Sequence, residues 1–146
     1  MYSFKLQTLL NHRRHQEEAL QKLLADVHRE LTVEQNQLHR QKRAKRENAH
    51  TLQQKQATGC TVTDCLLYVN YIEQLSRDID QQRQRVKQAE KKVRNKRQEL
   101  LEAVKKRKVL EKLKEKGHQA YLKKLMQNER KLMDEIASTR HARATQ

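Results

Sequence analysis

Residues 68–110 read YVNYIEQLSRDIDQQRQRVKQAEKKVRNKRQELLEAVKKRKVL, and one spacing runs through them. Alternating steps of four and three from Tyr68 land on Ile72, Leu75, Ile79, Gln82, Val86, Ala89, Val93, Lys96, Leu100, Ala103, Arg107 and Leu110. Ten of these thirteen positions are apolar, and the residues between them are mostly Lys, Arg, Gln and Glu. A surface helix of a globular protein carries a broader apolar face. A narrow seam at a 3.5-residue period, sustained over about six heptads, predicts a coiled coil.

Upstream the same steps pass through Leu20, Leu24, Val27, Leu31, Glu34, Leu38, Gln41, Lys45, Asn48 and Leu52. Leu6, Leu10, Arg13 and Glu17 lie on the track before them. Between the two tracks sits one corner, Ala57-Thr58-Gly59-Cys60-Thr61-Val62-Thr63-Asp64. Gly59 suits the left-handed conformation that ends a helix. Thr61 with Asp64 three residues on resembles a capping box, with Asp in place of Glu. The predicted layout is helix one over about 4–57, a loop at about 58–61, helix two over about 62–138 and a tail at 139–146, in a single domain. The fold class is all-α, with two long helices forming an antiparallel coiled-coil hairpin and a C-terminal overhang.

A turn at residues 59–60 pairs positions whose numbers sum to roughly 119. Leu52 then faces Leu67, Leu31 faces Ala89, Leu20 faces Glu99 and Leu100, and Leu10 faces Val109 and Leu110. At 1.5 Å per residue the arms are roughly 80 and 115 Å long, so helix one ends opposite Glu115–Gly117. The unpaired remainder carries its own stripe at helical spacing: Tyr121, Leu122, Leu125, Met126, Leu132, Met133 and Ile136, interrupted by Glu129. An apolar stripe without an internal partner points to an external one. Gly117 weakens helix two by about 1 kcal/mol relative to Ala and marks a place for a bend.

Composition closes off other classes. The 146 residues include 33 Lys+Arg and 18 Asp+Glu, a net charge of +15, with 35% charged and 35% hydrophobic residues, two glycines and no proline. An ordinary globular domain is about 45–50% apolar and about 25% charged. A layered core and a turn-rich β fold are both excluded. The start lacks the apolar core of a secretory signal. The longest apolar run, Cys65–Val69, is far short of the roughly 18 residues of a membrane span. Cys60 and Cys65 read as free thiols of a reducing compartment.

No catalytic, cofactor or metal site is expected. His12 and His15 lie three apart, and His50 could join Cys60 and Cys65, but neither set reaches four ligands. The charge is more telling. Residues 83–116 hold fifteen Lys and Arg against five Glu. Such a field attracts any acidic surface, yet no aromatic is interleaved for base stacking. A solvated basic face for acidic protein or anionic lipid is favoured, and the rival is a basic nucleic-acid-binding coiled coil. A scaffold that dimerises through the overhang is a third class.

The opening, with Phe4-Lys5-Leu6, then Leu9-Leu10 and Arg13-Arg14, resembles that of the bacterial flagellar export protein FliJ family. The resemblance continues through Glu17-Glu18 and Leu20. It recurs at Thr61-Val62-Thr63-Asp64, Tyr68, Tyr71-Ile72 and Leu75, and covers the chain in length, layout and loop position. It implies a non-enzymatic stalk of the flagellar type III export apparatus that promotes assembly of the export ATPase hexamer. It also implies links to the cytoplasmic domain of the export gate and to export chaperones, and no specific nucleic acid. The implied location is the bacterial cytoplasm, peripheral at the inner membrane at the flagellar base, in the service of motility.

The family's gate-contacting surface maps here onto Tyr71 and Leu75, then Asp78 and Gln82. The last two depart from the small and imidazole side chains of the family pattern. Leu75 also lies on the seam track, which leaves a core role open. The family's paired termini enter the ATPase ring, and the corresponding residues are Phe4, Leu6, Leu10, Leu122, Leu125, Met126, Leu132 and Met133.

Overall fold

The computed structural model describes residues 1–145. Two helices, α1 (Gln7–Thr58) and α2 (Val62–Ala144), pack as an antiparallel coiled-coil hairpin, with no strand among the described residues. The turn is built as its residues dictate. Gly59 takes a φ of 102°, in the left-handed region that glycine enters without a Cβ penalty. The Asp64 N–H donates to the Thr61 hydroxyl at 3.2 Å and the Cys65 N–H to the Thr61 carbonyl at 3.0 Å, which caps α2. Asp64 also places a negative charge in the first turn, where the helix dipole favours it.

The helix ends differ from the sequence expectation. Helix one begins at Gln7 rather than near residue 4, because the first residues leave the helical path to pack against α2. Helix two runs on through Ala144 rather than ending near 138. Residues 139–144 contain neither Gly nor Pro, and His141 and Arg143 suit the negative end of the dipole.

Contacts gather into two compact units, residues 18–100 and residues 1–17 with the chain from Leu101 onward. In the first unit, Leu75, Ile79, Val86, Ala89 and Val93 are buried along the seam, together with Gln82. The polar intrusions meet each other. Gln82 Nε2 donates to the Glu34 carbonyl at 3.0 Å and to the Glu34 carboxylate, so one off-pattern residue satisfies the other. Lys92 reaches Glu30 at 3.7 Å, and Lys55 Nζ sits 4.6 Å from the Tyr68 ring centroid. Tyr68 holds the Lys55 ammonium above its ordinary pKa. Near the turn, the expected pairing of Leu52 with Leu67 fails. Leu67 is 63% exposed and Leu52 is half-buried. One residue step rotates a side chain by about 100°, and the seam passes through Tyr68 instead.

In the second unit, Leu10, Ala103 and Leu110 are buried, and Leu10 is the one large side chain there with no exposure. Two more polar track residues pair. The Arg107 guanidinium binds the Glu17 carboxylate through Nε and Glu111 through Nη1 at 2.8 Å, and Arg14 reaches Glu111 at 3.6 Å. Hydrogen bonding to Glu111 and then Glu17 raises the Arg107 pKa, and Arg107 lowers that of Glu111. Tyr2 stacks edge-on against His118 at 5.6 Å and beside Tyr121 at 5.8 Å. Gly117 is its seat. A Cβ there would collide with the Tyr2 hydroxyl. The position read as a place for a bend lies inside a continuous helix and makes room for an aromatic ring. Cross-helix contact in this unit therefore extends to Tyr121, past the expected limit at Gly117.

Candidate functional site

The exposed faces of the hairpin carry the candidates. Four sequence-derived positions mark the first face, and the structure divides them. Tyr71 is 49% exposed, and Asp78 is half-buried and accepts a hydrogen bond from Gln74 at 3.0 Å. Leu75 and Gln82 are 7% and 3% exposed. Both are seam residues, with Gln82 committed to Glu34, so they cannot meet a partner while the helices stay paired. What accompanies Tyr71 at the surface was passed over in the sequence. Val62, Leu66 and Leu67 are all more than half exposed. Their departure from the seam track by one position was the available signal. Tyr71 and Leu67 also line a shallow notch with Lys55, Asp64 and Tyr68. Beside it, Cys60 and Cys65 are free thiols, and the Cys65 thiol pushes the Cys60 pKa up.

The second face lies beyond Tyr121. There the seam track continues as Lys124, Asn128, Lys131 and Glu135, all polar and exposed. The apolar stripe moves one residue onward, to Leu122, Leu125, Met126, Leu132, Met133 and Ile136, each at least 42% exposed. A one-residue shift turns the stripe by about 100° around the helix. The change of face coincides with the end of contact to the N-terminal segment, so the stripe is not a seam waiting for more of α1. Of the N-terminal residues in the same expectation, Phe4 is half-buried and Leu6 is 42% exposed. Leu10 must be withdrawn as a surface contact, because it is wholly enclosed in the seam.

The basic stretch 83–116 is partly compensated within the hairpin. Arg83 pairs with Asp80, Lys92 with Glu30, Lys96 with Glu99, Lys105 with Glu102 and Arg107 with Glu17 and Glu111. No group of three or more His, Cys, Asp and Glu among the described residues could hold a metal ion. No helix among them is long and apolar enough to cross a membrane.

Residues 2–146 match the family model of the flagellar FliJ protein. The chain belongs to the FliJ family. Membership places it with the type III flagellar protein export apparatus, in a family of non-enzymatic structural components. Among solved structures, this FliJ-family chain is similar to a protein described as a YscO homolog from Chlamydia trachomatis. The two are 21% identical, the match covers 97% of this chain and 96% of that one, and the TM-score is 0.47. No curated protein matches.

Proposed function

We propose that this chain is the stalk of the flagellar export ATPase, without catalytic activity of its own. It promotes assembly of the ATPase ring and links the ring to the export gate and to export chaperones. The proposed location is the cytoplasm, peripheral at the inner membrane at the flagellar base. The observation that carries this reading is the overhang. A solvent-facing apolar stripe, turned off the seam, sits on the helix that the family resemblance assigns to the ring. Burying a large apolar side chain is worth about 1.5–3 kcal/mol, and several stand ready for it. Tyr71, with Val62, Leu66 and Leu67 around it, is the better candidate for the gate, and Asp78 lies beside that surface.

Leu125→Asp combined with Met126→Asp tests the ring assignment. The double variant should lose most stimulation of the purified export ATPase while its own melting midpoint stays within a few degrees of the parent. Full stimulation by the variant would remove the overhang from the ring contact.

A further inference from the structure

Between Glu34 and Glu47, α1 has no acidic residue and five basic ones, Arg40, Lys42, Arg43, Lys45 and Arg46. They lie three and four apart, so Arg40 with Arg43, Lys42 with Lys45 and with Arg46, and Arg43 with Arg46 are like-charge neighbours on one helix. Each such pairing weakens a helix. The hairpin does not relieve them. Arg40 bonds only to the neutral Gln37, at 2.7 and 3.2 Å, and Lys42, Arg43, Lys45 and Arg46 have no ion-pair partner among the described residues. In the same unit, Asp78 bonds to Gln74 and Asp80 to Arg83, both within α2. Arg40, Arg43 and Arg46 are exposed, with Arg46 at the edge of a groove that Leu52 and Ile72 also line, whereas Lys42 and Lys45 are half-buried. A local rule broken without internal compensation marks a functional surface.

We infer that the outer face of α1 at Arg40, Arg43 and Arg46 docks on the phosphate headgroups of an anionic lipid bilayer. The guanidinium fork matches phosphate oxygens two at a time. Three other partners fit less well. Between Val33 and Val62 the chain exposes no large apolar side chain, so a protein interface would lack the desolvated core that supplies its affinity. No Phe, Tyr or Trp lies on α1, so single-stranded nucleic acid would find no large stacking platform there. Sequence readout of a duplex needs an element that enters a groove about 12 Å wide, which a helix with a second helix packed along its side is too broad to do. Sequence-blind binding to duplex phosphates is set against the bilayer in the competition with duplex DNA. A bilayer needs neither groove nor core. It offers phosphates along the whole exposed line, and basic clusters bind it by charge alone. The inference does not depend on the stalk reading, since it requires no export component.

The test is cosedimentation of the purified chain, at physiological ionic strength, with phosphatidylcholine vesicles and with vesicles one-third phosphatidylglycerol. The chain should partition onto the anionic vesicles and not onto the neutral ones. Each basic residue near such a surface changes partitioning roughly fivefold, so Arg43→Gln with Arg46→Gln should weaken it about 25-fold. Arg130→Gln with Lys131→Gln, which removes the same charge from the overhang, should leave partitioning within about threefold of the parent. Arg43→Ala with Arg46→Ala, which favours helix, should behave like the glutamine pair and exclude a folding defect. The inference is overturned if the 43/46 variants bind like the parent, or if the 130/131 variant loses as much as they do. It is also overturned if duplex DNA at equal phosphate concentration strips the parent from the vesicles, which would assign the face to nucleic acid.

Discussion

Leu10→Ala should destabilise the protein by about 2–3 kcal/mol, whereas Leu125→Ala should change its stability by less than about 0.5 kcal/mol. Both remove the same atoms from the same residue type in a helix. They differ in what surrounds them. Leu10 has no exposed surface, so truncation costs its transfer energy and leaves a void that the seam only partly closes. Leu125 is 42% exposed on a stretch of α2 where the seam residues themselves are polar. Ala is also the best helix former, which offsets what little packing is lost there. Urea unfolding followed by helical circular dichroism gives both values. A comparable loss at Leu125 would mean that the overhang stripe is core.

Arg107→Leu alone should cost about 2 kcal/mol, and Glu17→Leu in the same chain should recover most of it. The Glu17 side chain is 12% exposed and that of Arg107 is 23%. Removing the guanidinium leaves a largely desolvated carboxylate, and that penalty exceeds the net worth of the pair. Removing both charges completes the apolar seam. What the double variant should lose is specificity. A polar pair on the seam fixes register in coiled coils, and Glu34 with Gln82 supplies another such lock. Spin labels at the exposed flanking positions 16 and 108 of the double variant, compared with the same labels in the parent, would read that slippage. The same cluster contributes to the acid response. The Glu111 pKa is held below its ordinary value by Arg107, so its contribution is present above the usual carboxylate range, near about pH 4.3. It is lost as pH falls through the lowered folded value, and Arg107→Leu should flatten that part of the acid profile.

The seam was legible because a 3.5-residue period is a property of sequence alone. Every residue buried along it (Leu10, Leu75, Ile79, Gln82, Val86, Ala89, Val93, Ala103 and Leu110) lies on the track read from the residues. Glu17, Glu34, Gln82 and Arg107 looked like flaws in that track. Their pairing, Glu17 with Arg107 and Glu34 with Gln82, depends on which polar residue falls opposite which, and a turn position fixes that only to within a few residues. The error at Leu67 has the same source. An offset of one residue is small in sequence and about 100° on a helix. The seating of Tyr2 on Gly117 was invisible for a different reason. Residues 1–5 lie before the first track position, and a glycine that admits a ring looks in sequence like a glycine that weakens a helix. Among the candidate surfaces, Tyr71 and the overhang stripe were readable as apolar residues off the track. Leu75 and Gln82 were carried by resemblance onto positions that this chain uses for its own core. The arginines of α1 were overshadowed by the longer basic stretch of α2, although their acid-free interval from Glu34 to Glu47 was plain in the sequence.

The most direct test of the overhang as the ring contact is a photocrosslinking benzoylphenylalanine placed at Met126 and, separately, at Leu101, in the presence of the purified flagellar export ATPase. Both positions are exposed, at 69% and 55%, and they lie on the same helix. A crosslink to the ATPase from position 126 and none from position 101 is the predicted result. A crosslink from 101 with none from 126, while the labelled chains still stimulate ATP hydrolysis, would contradict the account.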